Sequence, residues 1–524
     1  MIAPAQSSTD NLPDARGAPG TALVWVAFDA ETFARAKAEH KLVVLDGAAE
    51  WCHWCHVMEA TTYHDAAVRQ LLDAHFIAAK VDVDARPDIE ERYGEYGWPA
   101  TVVFSSDGAE LGKYRGYIAP ADFAAILRDL VDAPAAEADI SGGDGSWHTG
   151  ATGPLGEDEL AWIERMTELE LGDYYDAERG GWGKAQKAAI AVDNAWALFR
   201  AREGDQRARA QVLFTLDAQR ALIDPVWGGI YQYSAAPDWA HPHFEKLMTF
   251  QAGALDNYAA AYALTHDPKW LEVARATKRY VDAFLTNKEG GFYATQDADL
   301  NAHDSGKRFM TGHEYYALDD AGRRALGVPR VDTHEYAKEN GLAIAAYATF
   351  FEATGDAGAL ASAEKAARRM LATHLTPRGG VAHDADDAKR SSAILHLADN
   401  AWFGLALSRL YEVTKNDEYA AAATKVADFV LRDLVDVHGG GFFASTADPD
   451  AVGVFARRRK PFEENVAALR MLARLAKNGH GDRARYTAAI DGALRCIATP
   501  DAIKARGRIL GDLLLALEET KSVR

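Results

Sequence analysis

Two periodicities divide this chain. Between residues 43 and 116 the apolar positions come in short runs, Val43-Val44-Leu45, Phe76–Val83 and Val102-Val103-Phe104, separated by acids, glycine and proline. Runs of this length, rich in β-branched residues, predict buried strands. Asp107-Gly108 turns the third run into a partner at 110–116, and helical spacing occupies about 56–75 and 121–132. Beyond residue 158 the spacing changes to three and four. Tyr419, Ala423, Val426, Val430 and Leu434 form one such stripe, as an amphipathic helix requires.

The helical part repeats. Asp205, Asp267, Asp356, Asp417 and Asp482 each stand where a helix should begin, with Pro268 at the first helical position of one copy, and Asp158 opens a looser first copy. From Asp205 to Gly228, Asp267 to Gly290 and Asp356 to Gly379 the distance is 23 residues, and from Asp417 to Gly439 and Asp158 to Gly180 it is 22. A second helix is expected after each glycine pair, at about 192–203, 246–264, 335–353, 396–413, 462–477 and 508–521. Twelve helices in six hairpins result. The period is too long and irregular for the short helical repeats. Helices apolar over a wide arc suggest an inner ring wrapped by an outer one. Residues 134–157, rich in Ala, Gly, Ser and Asp, read as a linker between the two parts.

Composition narrows the function. At 524 residues the chain exceeds one average domain, and its 48% hydrophobic content is that of a globular protein. The net charge of −20 argues against nucleic acid or an anionic membrane as partner. No apolar run reaches the length of a membrane span, and the first residues lack a secretion pattern, so a cytoplasmic location is expected. Arg457-Arg458-Arg459-Lys460 is a local basic run, read as a solvated loop or an anion contact. Three cysteines make no disulfide framework, and Cys496, alone in an apolar helical pattern, is expected in the core.

The other two cysteines carry the chemistry. In VVLDGAAEWCHWCHVM, Cys52 and Cys55 follow a buried strand and open a helix. A thiol at a helix N-terminus faces unpaired N–H groups and the positive end of the helix dipole, which favour the thiolate. Cys52 is the expected nucleophile and Cys55, one turn on, the resolving thiol. Asp46, at the end of the strand, is placed to exchange the proton of Cys55. Other readings of these residues stay open: CxxCH is also the haem c attachment pattern, Cys52, Cys55 and His56 suit a metal, and the cysteines can be inert.

With the LDGAAEWCHWC and KVDVDARPDI stretches and the proline ahead of VVF, residues 21–133 resemble the thioredoxin superfamily. That resemblance implies that Pro99 forms a cis bond facing the thiols. Trp51, His53, Trp54 and Trp98 around them become the expected substrate contacts. His53-Trp54 stands in place of the small Gly-Pro of reducing thioredoxins. Residues 158–524 look like the (α/α)6 toroid of six-hairpin glycosidases and sugar 2-epimerases. Taken together, CHWCHVME (52–59), RPDI (86–89), GGIYQYS (228–234), PHFEKL (242–247) and ATQDAD (294–299) resemble the thioredoxin-plus-toroid family that includes spermatogenesis-associated protein 20.

Those readings set the functional expectations. The leading one is a thiol–disulfide oxidoreductase acting on a protein disulfide or a small molecule, with no cofactor and no resident metal, and with the oligomeric state left open. The alternatives are a sugar-active enzyme in the toroid and a non-catalytic interaction protein. In toroids the loops before the inner helices line a central cleft. His243, Glu245, Asp297 and Asp299 are therefore expected there, with Trp239 or Trp227 as an apolar wall and Tyr231 and Phe292 as further platforms. Asp297 and Asp299 begin like a calcium loop, but Ala302 and Arg308 occupy the positions that need glycine and an acid. The acids of 383–387 and 463–464 are further loop carboxylates, and a glycosidase would need two of them facing across a sugar.

Overall fold

The short apolar runs form one four-stranded sheet. In the computed structural model, which describes residues 23–134, 153–304 and 306–524, its strands are β1 (Leu42–Ala48), β2 (Phe76–Asp82), β3 (Ala100–Phe104) and β4 (Glu110–Arg115). The order is β2-β1-β3-β4, with β1 parallel to β2 and antiparallel to β3. Alternate residues of β1 point to opposite faces. Val44, with Val103 opposite it, joins a core made by Met58, Val68, Leu72, Phe123 and Leu127. Those residues come from α2 (His53–Thr61), α3 (Ala66–His75) and α5 (Pro120–Asp132).

Aromatic rings supply a second cluster. Phe33 of α1 (Ala30–Glu39) and Tyr93 of α4 (Pro87–Tyr93) pack with Phe28 and Phe104. Phe455 completes the group, its ring centroid 5.5 Å from that of Phe28 and 6.1 Å from that of Phe104. Asp450–Ala456, remote in sequence, thus belongs to this first compact unit. The Val454 N–H donates to the Gly108 carbonyl at 3.1 Å, and Arg92 Nη2 donates to the Val454 carbonyl at 3.1 Å.

One expected helix is two. The stretch 56–75 breaks between Thr61 and Ala66 because Asp65 accepts the N–H groups of Ala67 and Val68 and starts α3 afresh. Helices α1 and α4 lie where no element was expected.

The second unit is a closed ring of hairpins. Its helices run α6 (Glu157–Tyr174), α7 (Ala191–Arg202), α8 (Gln206–Gln219), α9 (Met248–Thr265), α10 (Pro268–Phe284), α11 (Gly312–Tyr316) and α12 (Asp320–Leu326). Then follow α13 (Ala337–Thr354), α14 (Ala357–Thr373), α15 (Leu397–Thr414), α16 (Asp417–Phe429), α17 (Phe462–Lys477), α18 (Arg483–Ile497), α19 (Pro500–Arg506) and α20 (Gly511–Lys521). Each of α7, α9, α13, α15, α17 and α20 packs on the next, and α20 packs on α7 to close the ring. Helices α8, α10, α14, α16 and α18 each back one inner helix, and α6 backs α20.

The inner helices are buried nearly all round, which suits a ring wall and not a surface helix. Glycine lets two of them approach closely. A Cβ on Gly341 would lie 2.8 Å from the Trp402 carbonyl, and one on Gly253 would lie 2.5 Å from the Ala191 Cβ.

The predicted inner helices fall within about three residues of the observed ones. Asp205, Asp267, Asp356 and Asp482 are N-caps as expected. Two are not. Asn416 caps α16 in place of Asp417, and Gly156 precedes α6 with Asp158 inside the first turn. The expected linker falls largely at 135–152, outside the described residues. Among the described residues no helix is long and apolar enough to cross a membrane.

Candidate active site

Cys52 and Cys55 are joined in a disulfide, with Cα atoms 5.2 Å apart. Cys52 is the N-cap of α2, and its Sγ accepts the Cys55 N–H at 3.2 Å. That places the sulfur on the unsatisfied end of the helix, where a thiolate gains most from backbone donors and dipole. Both cysteines are buried, Cys52 with 3% and Cys55 with 7% of their surface exposed.

Asp46 is buried beneath the same helix. It lies on the β1 face that carries Val44, so it belongs to the layer into which α2 sends Met58. Its Oδ1 has no hydrogen-bond partner. Burial pushes its carboxyl up to about 6, against the pull of Lys80 and with a further push from Glu59. Lys80, opposite Asp46 in the β1–β2 register, holds Nζ 3.6 Å from Asp46 and 2.6 Å from Glu59 of α2. Asp46, Lys80 and Glu59 thus form a charged chain from the buried carboxyl to a partly exposed edge.

The Trp98–Pro99 bond is cis, as the resemblance implied. The Trp98 ring lies over the strand: a Cβ on Gly47 would meet it at 3.1 Å, so the glycine makes room for the indole. Trp51 is buried and donates its indole N–H to Asp84 at 2.6 Å, which makes it a support and not an open contact surface. His53 and Trp54 are partly exposed. Their rings touch at 5.4 Å, and Trp54 leans on Tyr117 at 5.7 Å. Trp98 is partly exposed as well.

A family described as a protein of unknown function, DUF255, and thioredoxin-like by its name, matches residues 16–129. Human spermatogenesis-associated protein 20 is 28% identical over 332 residues, 56% of this chain and 41% of that one. The chain is similar to that protein across both of its units. It spans less than half the length of these curated relatives. A thioredoxin H-type from Fagopyrum esculentum is 34% identical over 86 residues, 16% of this chain and 70% of that one. The helical unit shares its fold with a crystal structure of D-mannose isomerase, at a TM-score of 0.50 and 12% identity, over 64% of this chain and 85% of that one.

The second expected site looks different from its sequence reading. Glu245, Asp297 and Asp299 are buried to within 3% of full coverage. Asp299 accepts the Gly312 N–H at 2.8 Å, and Asp297 accepts the Asp299 N–H at 2.9 Å with His303 Nε2 3.3 Å from its other oxygen. These acids fold their own loop. The aromatic platforms are core: Trp239, Trp227, Tyr231 and Phe292 are all buried, Trp239 donating to the Arg179 carbonyl and Trp227 to Asp320. Lys246, beside Glu245 in sequence, is fully buried with Nζ 2.7 Å from Asp224, which also accepts Arg323.

Lys246 belongs to a device that the sequence did not reveal. Asp176, Asp224 and Asp436 each close a glycine-pair turn through main-chain bonds and each bind a buried lysine, Lys187, Lys246 and Lys460, at 2.6 to 2.7 Å. The basic run 457–460 therefore ends in a structural lysine. From the inner helices, Gln251, Asn340, Asn400 and Asn465 bond both N–H and C=O of the residue after a turn, Ile230, Phe292, Val381 and Phe442. The signal was available: an Asn or Gln near the start of four inner helices, and an acid four or five residues before three of the glycine pairs.

A cavity of about 220 Å³ opens in the helical unit, lined by Gln186, Ala188, Gln232, Tyr233, Phe250 and Arg508. None of the expected cleft residues lines it. His243 stands one layer behind, stacked on Tyr233 at 4.2 Å, with Glu245 3.8 Å from its Nδ1.

Proposed function

We propose that the protein is a thiol–disulfide oxidoreductase working through Cys52 and Cys55. The observation that carries this reading is the disulfide itself, built at a helix N-terminus with Cys52 Sγ against the Cys55 N–H. In the reduced form the Cys52 thiolate attacks one sulfur of a substrate disulfide, and the other sulfur leaves as a thiolate that takes up a proton. Asp46 draws the proton from Cys55, whose sulfur then attacks Cys52 Sγ. The Cys52–Cys55 disulfide forms, and the second substrate sulfur leaves and is protonated. Two electrons and two protons pass to the substrate. The opposite direction uses the same steps in reverse, and the partners' reduction potentials select between them.

Asp46 suits the proton transfer because a carboxyl held near pH 6 exchanges protons close to neutrality. His53, Trp54 and Trp98 are the surface on which a substrate is received. The test is trapping. A Cys55→Ser variant should accumulate a mixed disulfide through Cys52 with a model disulfide, and Cys52→Ser should accumulate none. Equal trapping by both variants would remove the assigned roles.

A further inference from the structure

We infer that the helical unit binds a small hydroxylated carboxylate in the cavity at Arg508. The cavity is below the roughly 300–1,000 Å³ usual for drug-sized ligands, which limits its occupant to about the size of one sugar ring. Its wall combines the Phe250 ring and Ala188 with polar groups of three kinds: a guanidinium, two carboxamides and a phenol.

The guanidinium carries the inference. Several other buried or half-buried cations of this unit have a carboxylate in contact: Lys187 has Asp176, Lys460 has Asp436, Arg474 has Glu519 and Arg369 has Glu335. Arg508 has none. Its Nη1 reaches the main-chain oxygens of Gln186 and Trp182, at 3.4 and 3.5 Å, longer than a well-formed N–H···O bond. Burial pushes its pKa down, opposed by the charge of Asp193. An arginine does not lose its proton in proteins, so the shift marks a charge without an adequate anion beside it.

That arginine is held in place. Gly507 precedes it with φ +60°, and the N–H groups of Leu510 and Gly511 after it are accepted by the fully buried Asp193 at 3.3 and 2.8 Å. A Cβ on Gly183 would collide with Arg508 Nη1, so the glycine is part of the seat. Tyr233 is held by its stack on His243. Burial raises its phenol, with help from Glu245, so the hydroxyl stays protonated and donates. A planar fork of donors recognises a carboxylate in two parallel bonds. The amides of Gln186 and Gln232 and the phenol suit hydroxyl groups, and Phe250 suits the apolar face of a ring.

The test uses the full chain and isothermal titration with D-glucuronate, D-gluconate and L-lactate, against D-glucose and inorganic phosphate. At least one hydroxy acid should bind saturably, at least about tenfold more tightly than glucose and than phosphate. Arg508→Gln should weaken that binding by about tenfold or more, with Arg508→Lys in between. Gln232→Ala should weaken it by a smaller factor, and thermal unfolding should show all three variants folded. No hydroxy acid binding below about 10 mM, glucose or phosphate binding as well, or affinity unchanged in Arg508→Gln would each overturn the inference.

Discussion

Asp46 in the sheet unit and Asp224 in the helical unit are both buried carboxylates beside a lysine, and their acidities move in opposite directions. Asp224 has Lys246 at 2.7 Å and the two Arg323 nitrogens at 2.7 and 3.1 Å. Burial alone would raise its carboxyl, but these two cations hold it below the usual range. The cation beside Asp46 is Lys80, 3.6 Å away and committed more closely to Glu59, and burial carries the carboxyl up to about 6. The difference lies in how near the cation stands and how many donors fill the lone pairs. One arrangement keeps a charge permanently and builds a turn. The other leaves a proton free to move near neutrality.

The largest effect expected from this contrast is on the structural side. Asp224→Ala leaves Lys246 and Arg323 buried without their anion, and removing one partner of such a pair costs about 3–5 kcal/mol. The urea midpoint of the helical unit should fall accordingly. A midpoint within error of the parent would mean that water or another group already serves the two cations.

Asp46→Asn is expected to do the reverse. Because the folded carboxyl is raised from 3.8 to about 6, the native state binds its proton more tightly than the unfolded chain. The stability this confers is full at low pH and is lost as pH rises from about 4 through about 6. The asparagine variant removes that slope. Near pH 8 it should gain on the order of 2–3 kcal/mol relative to its standing at pH 4, read from urea unfolding of the two proteins at both pH values. Disulfide exchange should slow by about a hundredfold and lose its inflection near pH 6. A faster or unchanged enzyme would remove Asp46 from the proton path.

The smallest effects come from its neighbours, in opposite directions. Lys80→Met removes the cation that pulls Asp46 down, so the inflection should move above about pH 6. Glu59→Gln removes a like charge and should move it below, by less than about one unit at this partly exposed position. A shift of the same sign in both variants would show that the inflection belongs to another group.

Local signals in the sequence read well and distant ones did not. The helix start at Cys52, the acid six residues before it and the Asp caps of the outer helices are each decided within a few residues of chain. The Asp46–Lys80–Glu59 chain depends on the parallel β1–β2 register, which no local pattern states. The ring was legible in its repeat. The repeat does not say which loop acids are consumed in closing turns, so the sequence alone places Asp297 and Asp299 in a cleft. Phe455 joins the sheet unit from 351 positions beyond Phe104, and its apolar character alone does not announce that. The cavity at Arg508 collects residues from three distant stretches, 186–188, 232–250 and 508.

In the reduced protein the thiolate is expected at Cys52. Rates of alkylation of the fully reduced protein, followed from about pH 4 to 9 with the two thiols resolved by peptide mass, test it most directly. Cys52 should react first, with an apparent pKa below the free thiol value of about 8.5, while Cys55 reacts slowly throughout. Cys55 reacting first, or Cys52 titrating like a free cysteine, would contradict the account.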